Sequence, residues 1–271
     1  MIHMTEDEFK KLSSFINQNF GIFIKEEKKE ILGNKLEKVL YEEKCNNFTE
    51  YYNKVISDKS GSKLSRFINV VTTNHTFFMR ESDHFYYFKN EVLPYLKKKV
   101  TNRDLRIWCA ACSSGEEAYT IAMILDEFFS DEKANWDTKV LATDLSTKVL
   151  NIAKKGIYNE DNVKDLPCIW KMNYLKKIQD KNYEVKDKIK NEVIYRRLNL
   201  MNRKFPFKKK FHVIFCRNAM IYFNNETRTK LINKFYDLTE PGGYLFIGHS
   251  ETINRDESRY RYVKPAVYRK E

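Results

Sequence analysis

Two adjacent acids, Glu116 and Glu117, follow a run of small side chains, Ala110-Ala111-Cys112-Ser113-Ser114-Gly115, which would let a ligand approach the backbone closely. Two carboxylates at such a mouth repel a phosphate but suit a ligand that offers ammonium and hydroxyl donors. S-adenosylmethionine is a ligand of that kind. A third acid, Asp144, ends the next apolar segment, where a carboxylate can receive the vicinal hydroxyls of a ribose. Cys109 and Cys112 have the spacing of half a metal site, but no second pair accompanies them, so no metal is expected.

These residues must be positioned by alternating strands and helices. Leu105–Cys109 alternates as a strand and Glu117–Phe129 as an apolar helix. Lys139–Thr143 is the next strand, and Ser146–Lys155 the next helix, stopped by Gly156. This βαβ order predicts a parallel sheet. Tyr183–Lys186 and Glu192–Asn199 read as a hairpin joined by Lys188–Asn191, an interruption of the pattern. Phe211–Cys216, helix Asn225–Leu238, strand Tyr244–Ile247 and a hairpin of Tyr260–Val263 with Ala266–Arg269 complete the sheet. Ahead of it, residues 1–70 are helical. Thr5 to Glu8 form a capping box before Phe9, Leu12, Phe15, Ile16 and Phe20, and a helix over Glu26–Glu43 buries Ile31, Leu32, Leu36, Val39 and Leu40 while presenting Lys28, Lys35 and Lys38. Thr72–Glu81 breaks the periodicity, and a helix runs from Ser82 to about Leu96, ending around Pro94.

With 271 residues, of which 42% are hydrophobic, the chain can bury a full core. It shows neither a run long enough to span a membrane nor a leader at the acidic N-terminus, so a cytoplasmic location is expected. Five scattered cysteines fit reduced thiols rather than a disulfide framework. A net charge of +12 suits an acidic partner without identifying one.

Several uncommon strings occur in order: Thr72-Thr73-Asn74 through Phe77-Phe78 to Arg80-Glu81, Ser114-Gly115-Glu116-Glu117, Ala142-Thr143-Asp144, Lys155-Gly156-Ile157-Tyr158, Phe215-Cys216-Arg217-Asn218 with Met220-Ile221-Tyr222-Phe223, and Gly248-His249-Ser250-Glu251. In these the chain resembles the chemotaxis-receptor glutamate O-methyltransferases over about residues 5–269. The resemblance implies an α/β fold in which a small all-helical N-terminal domain for receptor recognition, 1–71, precedes a Rossmann-like class I methyltransferase domain, 72–271. It also implies an antiparallel β-subdomain inserted at about 157–198. The activity implied is transfer of a methyl group from S-adenosylmethionine to receptor glutamates, with S-adenosylhomocysteine as the other product. Carried over by position, Asn74, Thr76, Arg80, Glu116 or Glu117, Asp144, Asn199, Leu200, Arg217 and Asn218 would bind the cofactor. Asn199-Leu200 would flank the adenine, and Arg217-Asn218 would lie under the methionine part. Arg80 would orient the substrate carboxylate, and Tyr222 would sit beside the transferring methyl. His249 is expected to be structural.

The cradle differs from the common family pattern only in small residues, including Ala118 where many relatives carry proline. The inserted subdomain differs more. Members that tether to a receptor's C-terminal pentapeptide have a glycine-rich loop there, whereas Lys176–Lys190 has many charges and no glycine. Recognition of the receptor's helical bundle without pentapeptide tethering is therefore expected. The alternatives are a nucleic-acid methyltransferase, disfavoured because Asn218–Tyr222 lacks the prolines of the amino-methyltransferase loop, and a non-catalytic cofactor-binding signalling module.

Overall fold

A computed structural model of the chain describes residues 2–72, 74–179 and 181–271, the Arg255 side chain excepted. Thr73 of the first string and Asp180 of the charged segment lie outside the described residues. The N-terminal unit is built from α1 (Glu6–Phe20), α2 (Lys29–Glu42), α3 (Phe48–Ser57) and α4 (Ser62–Val71). The capping box forms as expected: Thr5 accepts from the Glu8 backbone N–H while the Glu8 carboxylate accepts from that of Thr5. In α2 the buried stripe is Leu32, Leu36, Val39 and Leu40, but Ile31 is 54% exposed, contrary to expectation. It sits one residue, about 100°, off the stripe. Lys35 is also drawn inward, its ammonium donating to the Val71 carbonyl, so the basic face is narrower than the sequence suggests.

The helix after the Thr72–Glu81 segment does not stop at Pro94. It runs from α5 (Ser82–Tyr87) through a π-helical turn at Phe88–Val92 into α6 (Leu93–Lys99). The wider turn shifts the hydrogen-bond register, the Leu93 N–H donating to the Phe88 carbonyl, and Pro94 is taken into the first turn of α6 without ending the helix. Strand β1 (Ile107–Cys109), α7 (Glu116–Phe129), β2 (Val140–Asp144) and α8 (Thr147–Lys155) follow as the sequence predicts, α8 capped by Ser146 and ended by Gly156.

The next segment corrects the expected hairpin. Strands β3 (Ile157–Asn159), β4 (Leu175–Lys177) and β5 (Asn182–Val185) form a separate antiparallel sheet in the order β3-β5-β4, with the short helices α9 (Glu160–Val163) and α10 (Cys168–Tyr174) between the first two. After α11 (Asp187–Lys190), β6 (Val193–Arg197) pairs parallel with β2 instead of antiparallel with β5. The alternating pattern of β6 comes from being an edge strand of the main sheet, buried on one face only. The small sheet thus ends at Val185, short of the expected 198.

Strands β7 (Phe211–Cys216), β8 (Thr239–Ile247), β9 (Arg261–Lys264) and β10 (Val267–Arg269), with α12 (Asn225–Leu238), complete a seven-stranded sheet of order β6-β2-β1-β7-β8-β10-β9. Strands from β6 to β8 are parallel, and the β9–β10 hairpin packs antiparallel on β8. The order reverses between β1 and β7, the crevice where doubly wound sheets bind ligands at the carboxyl ends of their strands. Among the described residues, no helix is long and apolar enough to cross a membrane.

Candidate active site

A cavity of about 370 Å³ opens at that crevice, within the range of small-ligand sites. The ends of β1 (Ala110–Ser113), β2 (Asp144), β6 (Leu198–Leu200) and β7 (Arg217–Asn218) supply one side, the Asn74–Arg80 segment a second, and Ala219 with Ile221–Phe223 a third. The helical unit closes it through Phe20, Ile22, Val71 and Thr72. That closure rests on specific contacts. Ile22 bridges Phe223, the Phe23 N–H donates to the Tyr222 carbonyl at 2.7 Å, and the Asn199 side chain donates to the Asn19 carbonyl at 2.7 Å. Asn69 accepts from the Ser146 hydroxyl at 2.7 Å.

The expected residues Asn74, Thr76, Arg80, Glu117, Asp144, Asn199, Leu200, Arg217, Asn218 and Tyr222 all line this cavity. Glu116 does not. It is 1% exposed, accepting from Ser114 Oγ at 2.7 Å and Asn162 Nδ2 at 3.2 Å, which ties the start of α7 to α9. The αL glycine between cradle and helix has a steric cause: a Cβ on Gly115 (φ +99°) would lie 2.7 Å from the Tyr195 hydroxyl and 2.8 Å from Ala153 Cβ.

Glu117 is the acid that faces the cavity. It accepts from Arg217 Nη1 at 2.9 Å and from the Cys109 thiol at 3.1 Å. Burial pushes its carboxyl above the usual range, with Arg217 pulling the other way. Arg217, its side chain only 2% exposed, also donates from Nη2 to Glu81 at 3.1 Å and stacks over the Phe85 ring at 4.9 Å. Its buried Nε has no hydrogen-bond partner among the described residues.

Asp144 is held by backbone: Oδ2 accepts from Ser113 N and Oδ1 from Ser146 N, both at 2.9 Å. Each oxygen keeps a lone pair, enough for two adjacent hydroxyls. Burial raises this carboxyl too, and the two N–H groups partly offset that. Arg80 Nη1 donates to the His75 carbonyl at 2.7 Å, fixing the fork at the cavity edge. Non-glycine residues at positive φ gather around the cavity: Met79 (+61°) and Glu81 (+54°) at the end of the Asn74–Arg80 segment, and Ser113 (+48°) and Asn218 (+57°) at the strand ends. Backbone held in that region by its surroundings is characteristic of functional sites.

Two acids that sequence reasoning left inside quoted strings prove to hold the walls together. Glu81 accepts from Arg217, from Asn218 Nδ2 at 3.0 Å and from the His249 N–H at 3.3 Å. Glu251 accepts from the backbone of the Asn218–Ile221 turn. His249 itself, 45% exposed at its side chain, reaches outward to Asp83 at 3.2 Å. The donor atoms of Glu81, His84 and His249 lie within 4.8 Å of one another, but Arg217 already neutralises the Glu81 carboxylate, which leaves a dication little to gain there. All five cysteines are free thiols, with Cys109, Cys112 and Cys216 buried under the cavity.

A family model described as "CheR methyltransferase, SAM binding domain" matches residues 74–268, and one described as "CheR methyltransferase, all-alpha domain" matches 7–72. The chain is 45% identical to the chemotaxis protein methyltransferase of Borreliella burgdorferi, covering 99% of this chain and 96% of that protein. It is 34% identical to a probable chemotaxis protein methyltransferase of Rhizobium etli (94% and 99% covered). With the chemotaxis protein methyltransferase of Escherichia coli K12 the identity is 33% (98% and 91% covered).

Proposed function

Since the chain belongs to the CheR methyltransferase family and is an S-adenosylmethionine-dependent methyltransferase of chemotaxis, we propose that its substrates are glutamate side chains on the cytoplasmic helical domain of chemoreceptors. Family membership sets aside the nucleic-acid and non-catalytic alternatives.

The observation that carries the proposal is the convergence of Asp144, Glu117, Arg80 and Tyr222 on one cavity that the helical unit closes. Asp144 receives the ribose hydroxyls. Glu117 pairs with the ammonium. Leu200 and Asn199 flank the adenine, and Asn74, Thr76 and Asn218 complete the polar lining. S-adenosylmethionine supplies an electrophilic sulfonium methyl when bound. A glutamate carboxylate is ionised at neutral pH and is already the nucleophile, so no general base is required. Arg80 orients that carboxylate and Tyr222 presents its ring and hydroxyl at the reacting side of the cavity. Alignment is then the main source of rate, worth up to about 7–11 kcal/mol. The helical domain docks the receptor bundle with its basic residues, and the charged, glycine-free connection in the small sheet argues against pentapeptide tethering. The enzyme acts in the cytoplasm.

Incubation with radiolabelled S-adenosylmethionine and receptor membranes tests this. Base-labile label on receptor protein is expected; label only on nucleic acid, or base-stable label, would overturn it.

A further inference from the structure

We propose that Glu251 is a positioning residue for methyl transfer, a buried carboxylate that folds the Asn218–Ile221 turn and thereby aims Tyr222 into the cavity. The inference rests on the assignment of the cavity to S-adenosylmethionine and the transferring methyl. Glu251 is 3% exposed and lies just after β8, on the strand end beside β7. Its Oε2 accepts from Asn218 N at 3.0 Å and from Gly248 N, and its Oε1 from Met220 N at 2.6 Å and Ile221 N at 3.1 Å. The Met220 and Gly248 N–H groups would otherwise be buried and unpaired, in a turn too short for regular helix.

The turn needs such a clamp because its backbone is unusual. Asn218 is left-handed at φ +57°, and Met220–Tyr222 make a single 3-10 turn. The opposite side is held by the Phe23 N–H on the Tyr222 carbonyl, so Tyr222 sits between one contact from the helical unit and the Glu251 clamp. Gly248 permits the close approach: a Cβ there would lie 2.8 Å from Asn218 N and 2.5 Å from its Nδ2. Glu251 does not line the cavity, so its influence on the reaction runs through the turn.

An isosteric change isolates the clamp. In Glu251→Gln the amide oxygen can serve only one pair of N–H groups, and the amide nitrogen, itself a donor, faces the other pair. Expected for E251Q are a kcat at least tenfold lower, S-adenosylhomocysteine affinity by calorimetry within about threefold, and faster amide hydrogen exchange in peptides covering 217–223 with β7 and β10 still protected. Gly248→Ala leaves the carboxylate intact but pushes on Asn218, and should give the same pattern. The double variant E251Q/Y222F should be little slower than the more impaired single variant, since both act at one aromatic ring. A folded E251Q with turnover within twofold of the parent, or with exchange raised throughout the sheet in step with lost stability, would overturn the proposal. An inert Y222F beside an impaired E251Q would overturn the routing through Tyr222, and undetectable S-adenosylhomocysteine binding in the parent protein would instead remove the cavity assignment.

Discussion

Arg217, at the end of β7, donates to Glu117, in the first turn of α7, at 2.9 Å, a bond between two cavity-lining residues one hundred apart in sequence. With Glu81 on its other arm, this guanidinium is a buried counter-ion for two carboxylates before any ligand arrives. Burial raises the Glu117 carboxyl, and the Arg217 charge beside it pulls the other way, towards the charged form that a cationic ligand needs.

Removing the shared partner should be costly. Arg217→Ala strands two acids whose side chains are only 13% and 14% exposed, and a loss of about 3–5 kcal/mol is expected by denaturant unfolding, with cofactor binding lost as well. Arg217→Lys keeps the charge but not the two-armed fork, so it should fall between the two.

The neighbouring acids should separate cleanly. Glu117→Gln is expected to weaken S-adenosylmethionine binding by roughly 10- to 100-fold with modest change in stability, the worth of a charged hydrogen bond. Glu116→Gln should lower thermal stability through Ser114 and Asn162 while leaving affinity within a few-fold. Calorimetric titration beside thermal melts checks both, and the reverse ordering would reassign the ammonium site.

Arg80→Ala and Tyr222→Phe probe the reacting end. Both should lower turnover by tenfold or more with S-adenosylhomocysteine affinity near that of the parent, a pattern of lost alignment rather than lost binding. Undiminished turnover in either variant would sink that assignment.

Acid should weaken cofactor binding early. The carboxyls of Glu117 and Asp144 are both raised by burial, so in the folded protein they take up protons above the ordinary carboxylate range of about 4. For a raised acid the folded state binds the proton more readily than the unfolded one. The stability contribution of these two groups therefore rises as pH falls through their folded values, while affinity for a cationic ligand falls over the same window, by about tenfold per pH unit for each proton required. Glu81 runs the other way. Burial raises its carboxyl, but Asn218 and Arg217 outweigh that and hold it low, so its stabilisation persists until more acid pH. Calorimetry as the pH is lowered from neutral follows the first trend, and thermal melts of the free protein carried below the ordinary carboxylate range follow the second.

A receptor-type C-terminal pentapeptide should bind weakly or not at all by titration calorimetry. In tethering relatives a glycine-rich loop receives it, whereas the segment ending in β5 and α11 has none. Micromolar or tighter binding would show that this sheet captures the peptide by another surface.

Much of the fold was legible along the chain because the signals are local. The capping box of α1, the Ser146 cap and Gly156 stop of α8, and the full extent of α12 each follow from short stretches read by themselves. The failures have one cause. The Tyr183–Lys186 and Glu192–Asn199 segments look like hairpin arms because alternation reports a half-buried strand without saying which strand lies beside it. Ile31 and Pro94 were misplaced for the related reason that helix phase and hydrogen-bond register are not visible in composition.

The sequence by itself pointed to the cofactor class and to ten residues that line the cavity, since acids at strand ends, small residues in a turn and the family's motif strings need no coordinates to be read. Only the tertiary structure decided which of two adjacent glutamates lines the cavity, because consecutive helical residues point about 100° apart. Tertiary structure also decided that Arg217 is spoken for by Glu117 and Glu81, that Phe20 and Ile22 close the cavity, and that Glu251 clamps its far wall. Those are pairings between distant parts of the chain, and no local pattern encodes them.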